Sequence, residues 1–160
     1  MKKSNGFTLI ELLISIAILA VIAFLITPNL LTSLKKGRDA RRKTDLSNIQ
    51  KALEMYYEDK SKYPDSLTFG SKFCEDTCAA GEKVYMQKLP DDPSSSSDYM
   101  YSYCPELDRQ SYRLYASLEN LNDLQIIDDD NLACVTYLGC GTNHLCNYGI
   151  SSPNTTPWVE

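Results

Sequence analysis

Gly6-Phe7-Thr8-Leu9-Ile10-Glu11-Leu12-Leu13-Ile14-Ser15 opens an apolar run that continues to Ile26 and carries a single charge, Glu11. As a helix rising about 1.5 Å per residue, the twenty residues from Phe7 to Ile26 span about 30 Å, the thickness of a bilayer's hydrocarbon core. An ionised side chain at mid-membrane costs roughly 2.5–3.5 kcal/mol on insertion scales, so an acid in such a run points to a function. Glu11 lies near the edge, where that cost is smaller. Two simpler readings of the segment compete. A secretory signal peptide would use Lys2 and Lys3 as its basic region and Ser15-Ile16-Ala17 as its cleavage site, leaving Ile18 to Ile26 as a sticky apolar terminus. A plain membrane anchor accounts for the length, but for neither Glu11 nor the Gly6–Phe7 junction.

A short basic leader ending in Gly6, then Phe7-Thr8-Leu9-Ile10-Glu11 and an apolar run, resembles the start of a type IV pilin or type II secretion pseudopilin. The resemblance is highly specific from Lys2 to Pro28, moderate to Leu67 and weak beyond. It implies that a prepilin peptidase cuts between Gly6 and Phe7 and methylates the new amino terminus at Phe7. It also implies that Glu11 meets the N-terminal ammonium of a neighbouring subunit during assembly. A carboxylate and an ammonium that leave the membrane together relieve each other's desolvation. Pro28 stands where many of these proteins have a helix-bending proline, and Tyr63-Pro64 resembles the helix exit of many pseudopilins. Leu89-Pro90-Asp91-Asp92-Pro93 resembles the step that precedes the sheet in the major pseudopilin.

After the membrane segment is subtracted, the 160-residue chain leaves enough for one modest domain. The formal net charge is −5, and removing Lys2 and Lys3 with the leader makes it −7. An acidic domain of this kind is soluble and a poor default binder of nucleic acid. Six cysteines, Cys74, Cys78, Cys104, Cys134, Cys140 and Cys146, all lie beyond Phe73. An even count outside the apolar run points to an oxidising compartment and disulfides, with fifteen possible pairings. The positive-inside rule pulls the other way, because Lys35, Lys36, Arg38, Arg41, Arg42 and Lys43 follow the span and outnumber the leader's lysines. The cysteines and the processing motif outweigh that count and place the C-terminal part outside.

Beyond Pro28 the helical pattern resumes. Leu30, Leu31 and Leu34 share one side, and Leu46, Ile49, Leu53 and Tyr56 recur at helical spacing. Asp45, Asn48, Lys51, Glu54 and Glu58 are expected on the remaining surface. Pro28 removes a backbone donor and predicts a kink, and Gly37 is a second weak point. The basic cluster from Lys35 to Lys43 reads either as a solvated helix face that touches lipid headgroups or as a partner for acids of adjacent filament subunits. Tyr63-Pro64 ends the helix. Residues 68–83 read as a loop, Val84 to Lys88 as a short strand or helical turn, and Ser94 to Ser97 as a flexible run. Two runs of period two, 99–104 and 112–118, predict an antiparallel hairpin with its tyrosines as packing residues. Residues 133–137 could add a strand, and after Leu138 the composition predicts loop.

The spacing predicts little catalytic chemistry. His144 is the only histidine, with no recognisable nucleophile or base beside it, and no phosphate-binding loop appears. Cys134, Cys140, Cys146 and His144 invite a zinc reading, but spacings of five are loose for a structural site. The major pseudopilins that the chain resembles bind calcium in their C-terminal loops. Asp128, Asp129 and Asp130 are the weak candidates here, since consecutive carboxylates cannot all converge on one ion.

The expectation is therefore an α+β subunit of type IV pilin fold, a non-enzyme without a resident cofactor. Its long N-terminal helix packs against a small antiparallel sheet with a disulfide-stapled C-terminal region. Residues 1–6 form a leader, 7–27 a transmembrane or filament-core helix, 28–60 its amphipathic continuation and 61–160 a globular head. By resemblance, the partners are further copies in a helical filament, the prepilin peptidase, a membrane assembly platform, a separate assembly ATPase and, before assembly, the lipid bilayer. The precursor would be a single-pass protein of the cytoplasmic membrane with its head outside. The alternatives are a minor pilin whose head binds a surface, DNA or an export substrate, and a membrane-anchored protein that does not polymerise.

Overall fold

The computed structural model describes residues 6–94, 98–127, 139–141 and 145–156, without the side chains of 25–29. Helix α1 runs unbroken from Leu9 to Lys60, through position 28 and past Gly37. The kink expected at Pro28 falls on a side chain outside the described residues. Ser61, in the left-handed conformation at φ 54°, ends the helix, and its N–H donates to the Tyr57 carbonyl at 2.7 Å. Every side chain from Phe7 to Phe24, and again from 30 to 37, is exposed. Among the described residues no helix is long and apolar enough to cross a membrane. The described part of the apolar run stops at Phe24, short of the expected span over 7–27.

The second half of α1 carries the head. Leu46, Ile49, Ala52 and Leu53 are buried in one cluster with Tyr63, Phe73, Tyr85, Leu89, Tyr101, Tyr112, Leu114 and Ala116. This is the stripe that the 3.6-residue period predicts. Asp45 and Glu54, expected on the surface, are partly buried instead. Asp45 accepts the Tyr101 hydroxyl at 2.9 Å, and Glu54 accepts those of Tyr63 and Tyr112 at 2.9 and 3.0 Å. A tyrosine used as core packing needs a partner for its hydroxyl, and the helix supplies carboxylates for that purpose.

The strands differ from expectation at both ends of the head. Within 68–83, expected as loop, Phe73–Cys74 forms β1 and pairs antiparallel with β2, Val84–Met86. Phe73 faces Met86 in that register and stacks on Tyr56 of α1, so packing rather than local pattern makes this short strand. The expected hairpin is present as β3, Ser102–Pro105, and β4, Tyr112–Ala116, with Tyr103 opposite Leu114. It starts later than the tyrosine alternation suggests, because the Met100 N–H donates to the Cys140 carbonyl instead. A third strand, β5, Tyr148–Ser151, lies in the tail expected as loop and completes a sheet of order β3-β4-β5. In this sheet Gly149 faces Tyr115. A Cβ there would sit 2.6 Å from the Tyr115 ring, so only glycine leaves room for it.

Tyr115 reveals a second layer. It is buried, although it alternates with the helix-facing Leu114 and Ala116, and it packs with Cys140, Cys104, Cys146 and Ile127. The sheet is thus covered on both faces, by α1 on one and by the cysteine-rich tail on the other. The tail is drawn close enough that Gly141, at φ 142°, admits no side chain: a Cβ would lie 1.5 Å from the Asp98 carbonyl oxygen.

Candidate functional site

Thr8 is the N-cap of α1, and Thr8-x-x-Glu11 forms a capping box. The Thr8 N–H and hydroxyl donate to Glu11 Oε2 at 2.9 and 2.7 Å, and the Glu11 N–H donates back to the Thr8 hydroxyl at 3.3 Å. Glu11 Oε1 meets no donor among the described residues. The acid is therefore held one turn from the Gly6–Phe7 junction, at the positive end of the helix dipole, with one oxygen left over. The role of Thr8 was missed in the sequence, although the S/T-x-x-E spacing signals it.

A second constellation lies where the exposed half of α1 meets the head. The buried stripe of α1 continues backwards from Leu46 to Arg42 and Asp39, both fully buried. All five N–H donors of the Arg42 guanidinium are used. Nε donates to Asp92 Oδ2 at 2.7 Å, and Nη1 to Asp39 Oδ1 at 2.7 Å and Glu119 Oε1 at 2.9 Å. Nη2 donates to Asp92 Oδ1 at 2.8 Å and to the Ser94 hydroxyl at 3.4 Å. The Tyr99 ring lies 4.6 Å from the guanidinium carbon and caps its face. Arg38 forks onto Glu119, Lys43 binds Asp123 at 2.7 Å, and Asp39 also accepts the N–H groups of Glu119 and Asn120.

The charges respond accordingly. Hydrogen bonds from Arg38 outweigh burial and, with those from Arg42, hold the Glu119 carboxyl at about 2. Burial works to raise the Asp92 carboxyl, but the Arg42 hydrogen bonds prevail and keep it below the usual range. Burial alone would lower Arg42, and its three acidic partners raise it instead. This clasp corrects both readings of the basic cluster at three of its six positions. Arg38, Arg42 and Lys43 are neither a solvated face nor reserved for another subunit, because each pairs within its own head. Lys35, Lys36 and Arg41 remain exposed, and among the described residues only Arg41 has an acid nearby, Asp45 at 3.8 Å.

Cys74 is bridged to Cys78 and Cys140 to Cys146, and Cys104 is also disulfide-bonded. Cys134 lies outside the described residues, as do Asp128, Asp129, Asp130 and His144. With Cys140 and Cys146 joined to each other, neither offers zinc a thiolate. Among the described residues no group of three or more acids, cysteines or histidines is arranged to hold a metal ion. A shallow groove of about 460 Å³ beside the clasp is lined by Lys36, Asp39, Ala40, Lys43, Asn120, Asn122, Asp123, Leu124 and Gln125, and its acids Asp39 and Asp123 are already paired with Arg42 and Lys43.

Residues 1–27 match the prokaryotic N-terminal methylation motif, and residues 29–117 match the family described as type II secretion system protein G. The type II secretion system core protein G of Vibrio cholerae is 32% identical over 63% of this chain and 72% of its own. That of Klebsiella pneumoniae is 34% identical over 62% of this chain and 74% of its own. The type IV wide pilus major component of Thermus thermophilus is 44% identical over 39% of this chain and 48% of its own. No solved structure matches the chain.

Proposed function

Because the chain belongs to the type II secretion system protein G family, we propose that it is the structural subunit of a pilus or secretion pseudopilus, cut between Gly6 and Phe7 and methylated on Phe7. Before assembly the precursor sits in the cytoplasmic membrane through residues 7–27, with its head outside. A prepilin peptidase, a membrane platform and a separate ATPase act on it. Assembly moves the uncovered first half of α1 from lipid into the core of a filament built from further copies. The observation that carries this reading is Glu11. It is the only charge in an apolar run whose described side chains are all exposed, and one of its oxygens meets no donor among the described residues, beside the cleavage junction. Paired with the Phe7 ammonium of the next copy, it leaves the membrane as half of a neutral pair. Pro28 lowers the cost of bending α1 as copies pack.

Intact mass and N-terminal sequence of the protein recovered from its native envelope test the first step. The expected product begins at methylated Phe7. A chain beginning at Met1 would be a plain anchored protein, one beginning at Ile18 a secreted one, and either sinks the filament reading. Glu11→Gln keeps the size and removes the charge. It is expected to be processed normally and to reduce filament yield at least tenfold, and an unchanged yield would remove Glu11 from assembly.

A further inference from the structure

We propose that Arg42, flanked by Arg38 and Lys43, takes the place of a bound divalent cation in fixing the 119–127 loop to helix α1, so that the head closes on a positive charge carried by the chain itself. The loop's described acids are already engaged, Glu119 by Arg38 and Arg42 and Asp123 by Lys43. Asp39 and Asp92, the other acids at this junction, are taken as well. Asp39 receives Arg42 and two loop N–H groups, and Asp92 receives Arg42 twice and Ser94 twice.

A calcium ion needs six to eight oxygens converging at 2.3–2.6 Å. Here the oxygens converge instead on a planar group whose five donors match five acceptor contacts, at distances set by N–H···O bonds. The guanidinium stays charged at any pH the protein meets, so it gives this junction a permanent counter-ion that no chelator removes. Three segments distant in sequence, α1, the 91–94 step and the loop, are joined by one side chain. This is what a structural cation does when it gathers ligands from separate loops.

The experiment is thermal unfolding of the full chain in mild detergent, followed by circular dichroism, with EDTA and then with excess CaCl₂. The wild type is expected to melt at the same temperature in both. A drop in EDTA that calcium restores would overturn the proposal, and this measurement needs no variant to fold. Arg42→Ala leaves three carboxylates facing one another and is expected to lower the melting temperature by roughly 10 °C in EDTA. A variant as stable as the wild type in EDTA would overturn the proposal equally.

Discussion

Arg42 occupies a position where the stripe of α1 would ordinarily place a leucine. Positions 39, 42, 46, 49 and 53 follow one helical spacing, yet the first two are ionised and fully buried. Buried charge is tolerated only when it is paired and hydrogen-bonded, and that condition is met here by Arg42 and Asp39 with each other and with partners 50 to 81 residues away. The pH dependence follows from Glu119. Its carboxyl is depressed from 4.5 to about 2, so its contribution to stability is fully present above 4.5 and is lost as pH falls toward 2. Glu119→Gln, weaker than the wild type at neutral pH, is expected to lose less stability over that interval. Urea unfolding at pH 7 and at pH 3 measures the difference, and parallel losses in the two proteins would show that the carboxylate carries no linkage.

At the scale of elements, α1 is one helix with two kinds of apolar surface. Leu53 is fully buried in the head and Leu31 is 58% exposed. Leu53→Ala is expected to cost the isolated subunit about 2–5 kcal/mol. Leu31→Ala is expected to leave the isolated subunit within about 0.5 kcal/mol. Denaturant melts in detergent separate the two, and comparable losses would mean that the first half of α1 packs on its own head. The contrast also explains what was legible. The period of Leu46, Ile49, Leu53 and Tyr56 announced the helix and its buried face, and alternating tyrosines announced the β3–β4 hairpin. Followed two steps back, the same period lands on Arg42 and Asp39, but a charged pair does not read as core until its partners at 92 and 119 are in view. Strands β1 and β5 were illegible for a related reason. Phe73–Cys74 and Tyr148–Ser151 are too short to show a period, and they exist because β2 and β4 offer them an edge.

For the whole molecule, the sheet lies between two layers of different origin. One is the helix-facing core and the other is the small cluster of Tyr115, Cys140, Cys104, Cys146 and Ile127. Among the described residues few apolar side chains make that outer layer, so its bridges matter more. Cys140→Ser with Cys146→Ser is expected to cost roughly 2–4 kcal/mol by equilibrium unfolding and to raise amide exchange at β5 before it does so at α1. Uniform exchange across both would mean that the two layers form a single cooperative unit.

The clasp also imposes an order of events on folding. The helix forms through contacts four residues apart, but Arg42 must await Asp92 and then Glu119, 50 and 77 residues later. Closing such long loops is slow compared with helix growth. Until both acids arrive, a guanidinium that cannot lose its charge has only Asp39 of its three acidic partners, and its other donors are left to water. A subunit interrupted before position 119 therefore carries a hydrated arginine where the finished one has a sealed joint, and its incompleteness is exposed at the boundary with the apolar half of the helix.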